Sequence, residues 1–328
     1  MQNPLSHFRF AQFQFLVKTI DHVSLPAYKG STLRGGFGHA FKQVVCANKQ
    51  KICDSCLLKE KCVYSYVFET PPPSNTSKMR KYPYAPHPFV ITPPLEEKRE
   101  YRQGETLCFG LTLIGKAVDH LPYFIYTFEE FGQMGIGKGR GKFQLEEVQS
   151  VGGPEERVVY TAGDQVLRRN SEVIEANELI RELPSDPISS IILQFVTPAR
   201  LKYDGQLGPA LEFHVLIRNL LRRISLLSYF HCGEELDLDF RGLIDSSMAI
   251  RVRKKELRWH DWQRYSNRQN TAMMMGGCIG SITFAGNLTQ FMPFLLLGEK
   301  INVGKGTSFG LGKYRLQREQ SVSEEELK

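Results

Sequence analysis

The sequence predicts an α+β chain made of two successive copies of a β-α-β-β-α-β unit, the ferredoxin-like order, with a small cysteine-rich insertion in the first copy. Three observations predict it. A basic glycine loop, Gly304-Lys305-Gly306-Thr307-Ser308-Phe309-Gly310-Leu311-Gly312, follows an apolar run at 291–297 and precedes a strand-like stretch at 313–316. A loop of the same character, Gly135-Ile136-Gly137-Lys138-Gly139-Arg140-Gly141, stands in the same setting near mid-chain, and a repeated unit is the simplest source of such an echo. Ahead of each loop the apolar spacing alternates between the period of a strand and that of a helix.

Taken in order, residues 7–20 are dense in Phe and read as a strand, with a slip in alternation between Phe10 and Phe13 that suggests a bulge or an early end. A turn at 25–30 leads to a helix capped by Ser31. On a wheel of about 3.6 residues per turn, Leu33, Phe37, Phe41 and Val44 share one face. His39 falls roughly 200° away, facing solvent or a ligand with Lys42 and Gly35. Gly35, Gly36 and Gly38 each weaken this helix by roughly 1 kcal/mol, which close approach of a ligand or a neighbouring backbone would explain. Residues 71–94, rich in Pro, Ser and Tyr, read as a surface loop. A strand at 106–115, a core-facing helix carrying Leu121, Phe124, Ile125, Phe128 and Phe131, and a strand at 143–148 complete the first copy. Its middle strands are the least visible part of the pattern.

The first domain is thus expected at 1–151, a charged linker at 152–187, the second domain at 188–318 and a polar tail at 319–328. In the second copy, 190–201 is a strand and 213–230 a strong helix. A basic strand at 248–260 and a Met- and Gly-rich strand at 272–284 follow. The last helix spans 287–298, with Pro293 blurring its start.

The net charge of +7 favours a polyanionic partner. No apolar run approaches the roughly 20 residues that span a bilayer, so a cytoplasmic chain without a membrane partner is expected. Of seven cysteines, four crowd together as Cys46, Cys53, Cys56 and Cys62. Without an export signal such crowding points to metal rather than disulfides. Four thiolates close a tetrahedral zinc site and would order an insertion at 46–62 too polar for its own core. The spacing does not separate zinc from an iron–sulfur cluster, and unligated thiols are the remaining reading. Four protein ligands leave no open position, so the role would be structural.

Arg251, Arg253, Lys254, Lys255, Arg258, Arg264 and Arg268 interleave with Trp259, Trp262 and Tyr265. Cations neutralise phosphates and aromatic rings stack on splayed bases, so this stretch reads as an RNA contact, against the plainer reading of a solvated hairpin. In the terminal loop, Gly304, Gly306, Gly310 and Gly312 allow close backbone approach, while Lys305 and Lys313 supply charge.

The block WHDWQRYSNRQNTAMMMGGCIGSITFAG, with the terminal GKGTSFGLG, resembles the CRISPR-associated endoribonucleases that process precursor CRISPR RNA. These belong to the RAMP superfamily of tandem ferredoxin-like, RNA-recognition-motif-like proteins. The stretches YKGSTLRGGFGHAFKQVVC and CDSCLLKEKCVYSYVFE are similar to one branch of that family. The resemblance implies cleavage within CRISPR repeats without metal: the upstream 2′-hydroxyl attacks the scissile phosphate, leaving 2′,3′-cyclic phosphate and 5′-hydroxyl ends. It implies a catalytic set of His39, Tyr28 and Lys42, with Lys29 and Arg34 as alternative sources of charge. The implied partner is CRISPR repeat RNA, as precursor and as retained product. A different class of function, a RAMP subunit that holds CRISPR RNA in an effector complex without cutting it, is discriminated by turnover on repeat RNA. A zinc-dependent nuclease is disfavoured by the closed four-cysteine ligand set.

Overall fold

The computed structural model describes residues 4–48, 52–73, 75–79, 82–153, 155–181, 183, 186–208, 211–266 and 271–318, apart from the side chains of 263–266 and 272. Arg268 and the polar tail fall outside the described residues. The chain forms two compact units: Met1–Asn177 with Ser225–Leu236 and Thr307–Gly310, and Glu178–Ile224 with Asp237–Gly306 and Leu311–Lys328.

The first unit carries β1 (Arg9–Thr19), α1 (Gly30–Val45), β2 (Phe89–Thr92), β3 (Thr106–Ile114), α2 (Leu121–Met134), β4 (Phe143–Val151) and β5 (Arg157–Thr161). Its sheet is antiparallel in the order β2-β3-β1-β4-β5. The second unit carries β6 (Ser190–Ala199), α3 (Phe213–Leu227), α4 (Phe240–Ser247), β7 (Arg251–His260), β8 (Gln263–Ser266), β9 (Thr271–Met274), β10 (Gly277–Ala285), α5 (Met292–Ile301) and β11 (Tyr314–Arg318). Its sheet runs β7-β10-β6-β11, and β8 pairs with β9 as a separate hairpin. In each sheet the unit's first strand lies between its third and fourth, and the second strand borders the third. This is the ferredoxin-like arrangement, and the protein is an α+β chain of two such domains.

The phenylalanine-dense stretches build the first core. Phe13, Phe15 and Val17 alternate onto the inner face of β1, and the Phe37 ring stacks on Phe41, Phe124 and Phe128 at 5.3, 5.1 and 4.7 Å. The slip near Phe10 is not a bulge. Phe10 points to the opposite face of a continuous strand, opposite Ile174, and is buried there. The register shift lies farther on, between Leu16 and Val17 against β4.

Four further expectations are corrected. Ser31 lies inside α1, whose N-cap is Lys29 with no side-chain cap, because the helix begins at Gly30. Residues 89–92 are a buried strand rather than loop: the β-branched run Val90-Ile91-Thr92 pairs with β3, and the prolines on either side keep it short. Part of the linker, Arg157–Thr161, adds β5 to the first sheet, and Ile174–Glu175 pairs with β1. The short helix α4 was missed; Asp239 caps it by accepting the Gly242 N–H. Pro293 is accommodated in the first turn of α5, where its missing N–H costs no hydrogen bond.

Candidate functional site

Helix α1 presents its apolar face, Leu33, Phe37, Ala40 and Phe41, to the core. His39 lies on the other side and is exposed, as the helical spacing predicts. One turn later the Gln43 amide Nε2 lies 3.0 Å from the His39 Nε2. An amide nitrogen only donates, so the ring nitrogen accepts and the neutral imidazole carries its proton on Nδ1.

The residues around it are already engaged. Tyr28 donates its hydroxyl to the Phe309 carbonyl at 2.8 Å, and burial pushes this phenol well above its usual range. Lys29 is fully buried; its ammonium donates to the Glu96 carbonyl at 2.7 Å. Burial lowers its pKa and the Glu96 carboxylate opposes that shift. This overturns its reading as a phosphate contact, since a side chain with no exposed surface reaches no RNA. The Lys42 ammonium lies 5.2 Å from the Tyr64 ring centroid and beside the Cys53 thiol. The Arg34 guanidinium is held between the rings of Phe68, at 4.6 Å, and Phe309, at 5.0 Å, with its Nη2 3.4 Å from the His87 Nε2. Arg34 only donates, so His87 Nε2 accepts, and its Nδ1–H points to Thr70 Oγ1 at 3.3 Å. His39 is therefore the exposed imidazole of this helix, while Tyr28 and Lys42 serve contacts of their own.

The terminal glycine loop is held by its own backbone. Lys305 N–H donates to the Arg200 carbonyl, Leu311 N–H to Gly306, and Gly312 N–H to Pro198. In the tip, Gly310 N–H donates to the Thr307 carbonyl. These N–H groups are spent on carbonyls rather than turned outward to an anion. Gly312 has φ +71°, and a Cβ there would overlap the Val303 carbonyl oxygen, so only glycine fits. Gly304, Gly306 and Gly310 also have positive φ. Lys305 is exposed, and Lys313 is half-buried with its pKa lowered by burial. The loop's start is anchored by Arg223, which donates to the Ile301 carbonyl at 2.9 and 3.2 Å and to the Asn302 carbonyl at 3.1 Å. Asn302 in turn donates to the Leu311 carbonyl at 3.1 Å.

In the second sheet β7 is an edge strand, paired among the described residues with β10 alone. Arg251, Arg253, Lys254, Lys255, Arg258 and Trp259 are all exposed. A charged edge also blocks strand addition, but so dense a row of cations exceeds what that requires. The Trp259 indole N–H donates to Asp261 at 2.9 Å and its ring lies against Gly276, leaving it 38% exposed. Arg264 lies in β8, whose side chains are not described.

Set against known proteins, residues 193–314 match the family model for the CRISPR-associated endoribonuclease Cas6. Residues 8–172 match a second one, the AF_1859 N-terminal domain. The second domain is a Cas6-family domain. An uncharacterized protein of Archaeoglobus fulgidus is 24% identical over 303 residues, covering 89% of this chain and 93% of that protein. The solved Cas6 (TTHB231) product complex superimposes with a TM-score of 0.58 at 16% identity, covering 94% of this chain and all (100%) of that one. The Thermus thermophilus Cas6 (TTHB231) structure gives 0.53 at 14%, covering 94% and 99%. A partial Cas6-RT-Cas1–Cas2 complex gives 0.57 at 12% identity over 97% of this chain. This chain spans about half, 48%, of that longer one. At these identities the structural likeness shows the Cas6 fold.

In the first domain the four cysteines are half-buried free thiols. Burial pushes the Cys53 thiol up, and the Lys42 ammonium opposes that. Cys46 Sγ lies 3.5 Å from the Asn48 carbonyl, and the Asn48 amide 3.9 Å from Cys56 Sγ. Among the described residues no three Cys, His, Asp or Glu side chains are grouped to hold a metal. The donors suit zinc in kind but do not fit it as they stand, so no step below passes through a metal.

Sequence reasoning missed Gln43, His87, Phe309 and Arg223. Two left a signal: Gln43 stands at i+4 from His39, and Arg223 falls on the stripe of Leu216, Leu220 and Leu227, where an unpaired cation has no place. His87 and Phe309 reach Arg34 only through tertiary folding, from 53 residues away in the case of His87.

Proposed function

We propose that the chain is an endoribonuclease that cuts precursor CRISPR RNA within its repeats by attack of the RNA's own 2′-hydroxyl. The observation that carries this reading is an exposed His39, hydrogen-bonded to Gln43, on the first helix of a chain whose second domain is of the Cas6 family. In the step, the O2′–P bond forms and the P–O5′ bond breaks. A proton leaves the 2′-hydroxyl and one reaches the O5′ leaving group, giving a 2′,3′-cyclic phosphate and a 5′-hydroxyl. No water and no metal enters the balance. His39 moves one of these protons, as general base or acid, a contribution of roughly 10² to 10⁴ in rate. Tyr28, through its hydroxyl, and Arg34, through its ring stack, hold the Phe309 segment against the start of α1 rather than moving protons. The cations of β7, with Lys305, bind the RNA backbone, and Trp259 offers a stacking surface. Retention of the product follows from binding spread over many such contacts.

The test is incubation of the protein with labelled repeat RNA in EDTA, with end-group analysis of the products. Cleavage to cyclic-phosphate ends is expected, abolished by a 2′-deoxy substitution at the cut. His39→Ala should lower the rate about 10² to 10⁴-fold with affinity kept within a few-fold. A wild-type protein that binds its repeat tightly and never cuts replaces this reading with a CRISPR RNA-holding subunit. A His39→Ala variant that cuts at the wild-type rate moves the proton transfer elsewhere.

A further inference from the structure

We infer that Gly35 is a substrate-approach position. The ribose–phosphate backbone of the bound RNA strand lies against the bare main chain there, beside His39, and this inference rests on the nuclease reading above. The argument is an accounting of the glycines of α1. Each costs the helix roughly 1 kcal/mol relative to alanine, so each calls for a compensating reason. Gly30 has one: a Cβ would overlap the Phe309 carbonyl oxygen. Gly36 has one, because its missing side chain is the seat of the Phe131 ring. Gly38 has one, since a Cβ would stand 2.5 Å from Phe68 Cε1. Gly35 has none. It is exposed, and among the described residues a Cβ there would meet nothing within 4 Å outside its own helical turn and chain neighbours.

Its helical geometry is ordinary, since it is not among the positive-φ residues, so backbone strain does not call for glycine either. Position 35 stands one turn before His39, about 40° round the helix, so the two share the solvent face. Any side chain here would stand beside the imidazole and hold a substrate away from it. The missing side chain removes that obstacle at a steady cost in helix stability, which fits a ligand that must come within van der Waals distance of the main chain. A polyanion suits such an approach, because α1 has no acidic residue in its first turn.

Alanine and leucine are both strong helix formers, so Gly35→Ala and Gly35→Leu should raise or hold the melting temperature. Single-turnover cleavage should nevertheless fall by about 5-fold for Ala and about 10²-fold for Leu, the scale of an ångström-sized misplacement. RNA affinity should change by no more than about 3-fold, being spread over many cations. A folded Gly35→Leu protein that cuts at the wild-type rate overturns the inference while leaving the nuclease reading intact. A Gly35→Cys variant separates the two fully. With repeat RNA carrying a 2′-deoxy cut site, maleimide labelling at position 35, mapped by mass, should slow by about tenfold or more if the strand covers this spot. Labelling unaffected by saturating RNA overturns the inference whether or not the wild-type chain cuts, and protection without cutting supports it while removing the nuclease.

Discussion

Replacing Arg223 by methionine tests what sets the start of the terminal glycine loop. This side chain is 7% exposed and lies in α3, yet it donates three hydrogen bonds to the last carbonyls of α5. Those carbonyls are at the negative end of the helix, where a cation is favoured by up to about 2 kcal/mol when partly buried. Methionine fills a similar volume but leaves the Ile301 and Asn302 carbonyls without these donors, at about 1 to 3 kcal/mol each. Against this, removing a buried guanidinium recovers several kcal/mol of desolvation. Burial pushes its pKa down, while the two accepting carbonyls favour the charged form. No charge is left behind, so the two unpaired carbonyls, less the recovered desolvation, give an expected net loss of about 1 to 3 kcal/mol in urea unfolding of Arg223→Met. Because the residue is buried, the salt dependence of RNA binding should keep its slope in the fraction that remains folded. A variant within about 0.5 kcal/mol of wild type would refute the anchoring role. A slope reduced by about one unit would show that Arg223 touches phosphate.

Three further predictions concern charge and metal. Lys29 binds fewer protons folded than unfolded between its lowered pKa and its usual value, so it makes stability rise with pH through that alkaline window. Urea unfolding should show this rise in wild type and its absence in Lys29→Met; parallel curves would refute it. Removing Lys305 or Arg268 should flatten the salt slope of repeat-RNA binding by about one unit per lost phosphate contact, and an unchanged slope in both variants would place the RNA elsewhere. We propose from the four-cysteine spacing that Cys46, Cys53, Cys56 and Cys62 take up about one zinc per chain, drawing Cys53 away from Lys42. Elemental analysis and thiol titration before and after chelation check it, and folded protein with four reactive thiols and no metal would refute it.

Local spacing was enough to read the pattern of both domains and the outward face of His39. Those follow from local periodicity: a helix with Leu33, Phe37 and Phe41 inward must carry position 39 outward whatever it packs against. The basic composition of β7 was legible for the same reason, since five of its ten residues are Arg or Lys and leave no face to bury. Only the tertiary structure decided what the remaining polar groups do. Lys29 read as a free cation because nothing in a sequence records the Glu96 carbonyl that receives it from 67 residues away. Tyr28 read as a catalytic phenol, and it is bonded to a carbonyl 281 residues on. The glycines of the terminal loop read as points of close backbone approach to a ligand, yet Gly312 is required by the Val303 carbonyl pressed against it. Which side a residue faces is set by the few neighbours within one helical turn or strand step. Which partner a donor or a missing Cβ serves is set by long-range packing, and adjacent residues carry no trace of it.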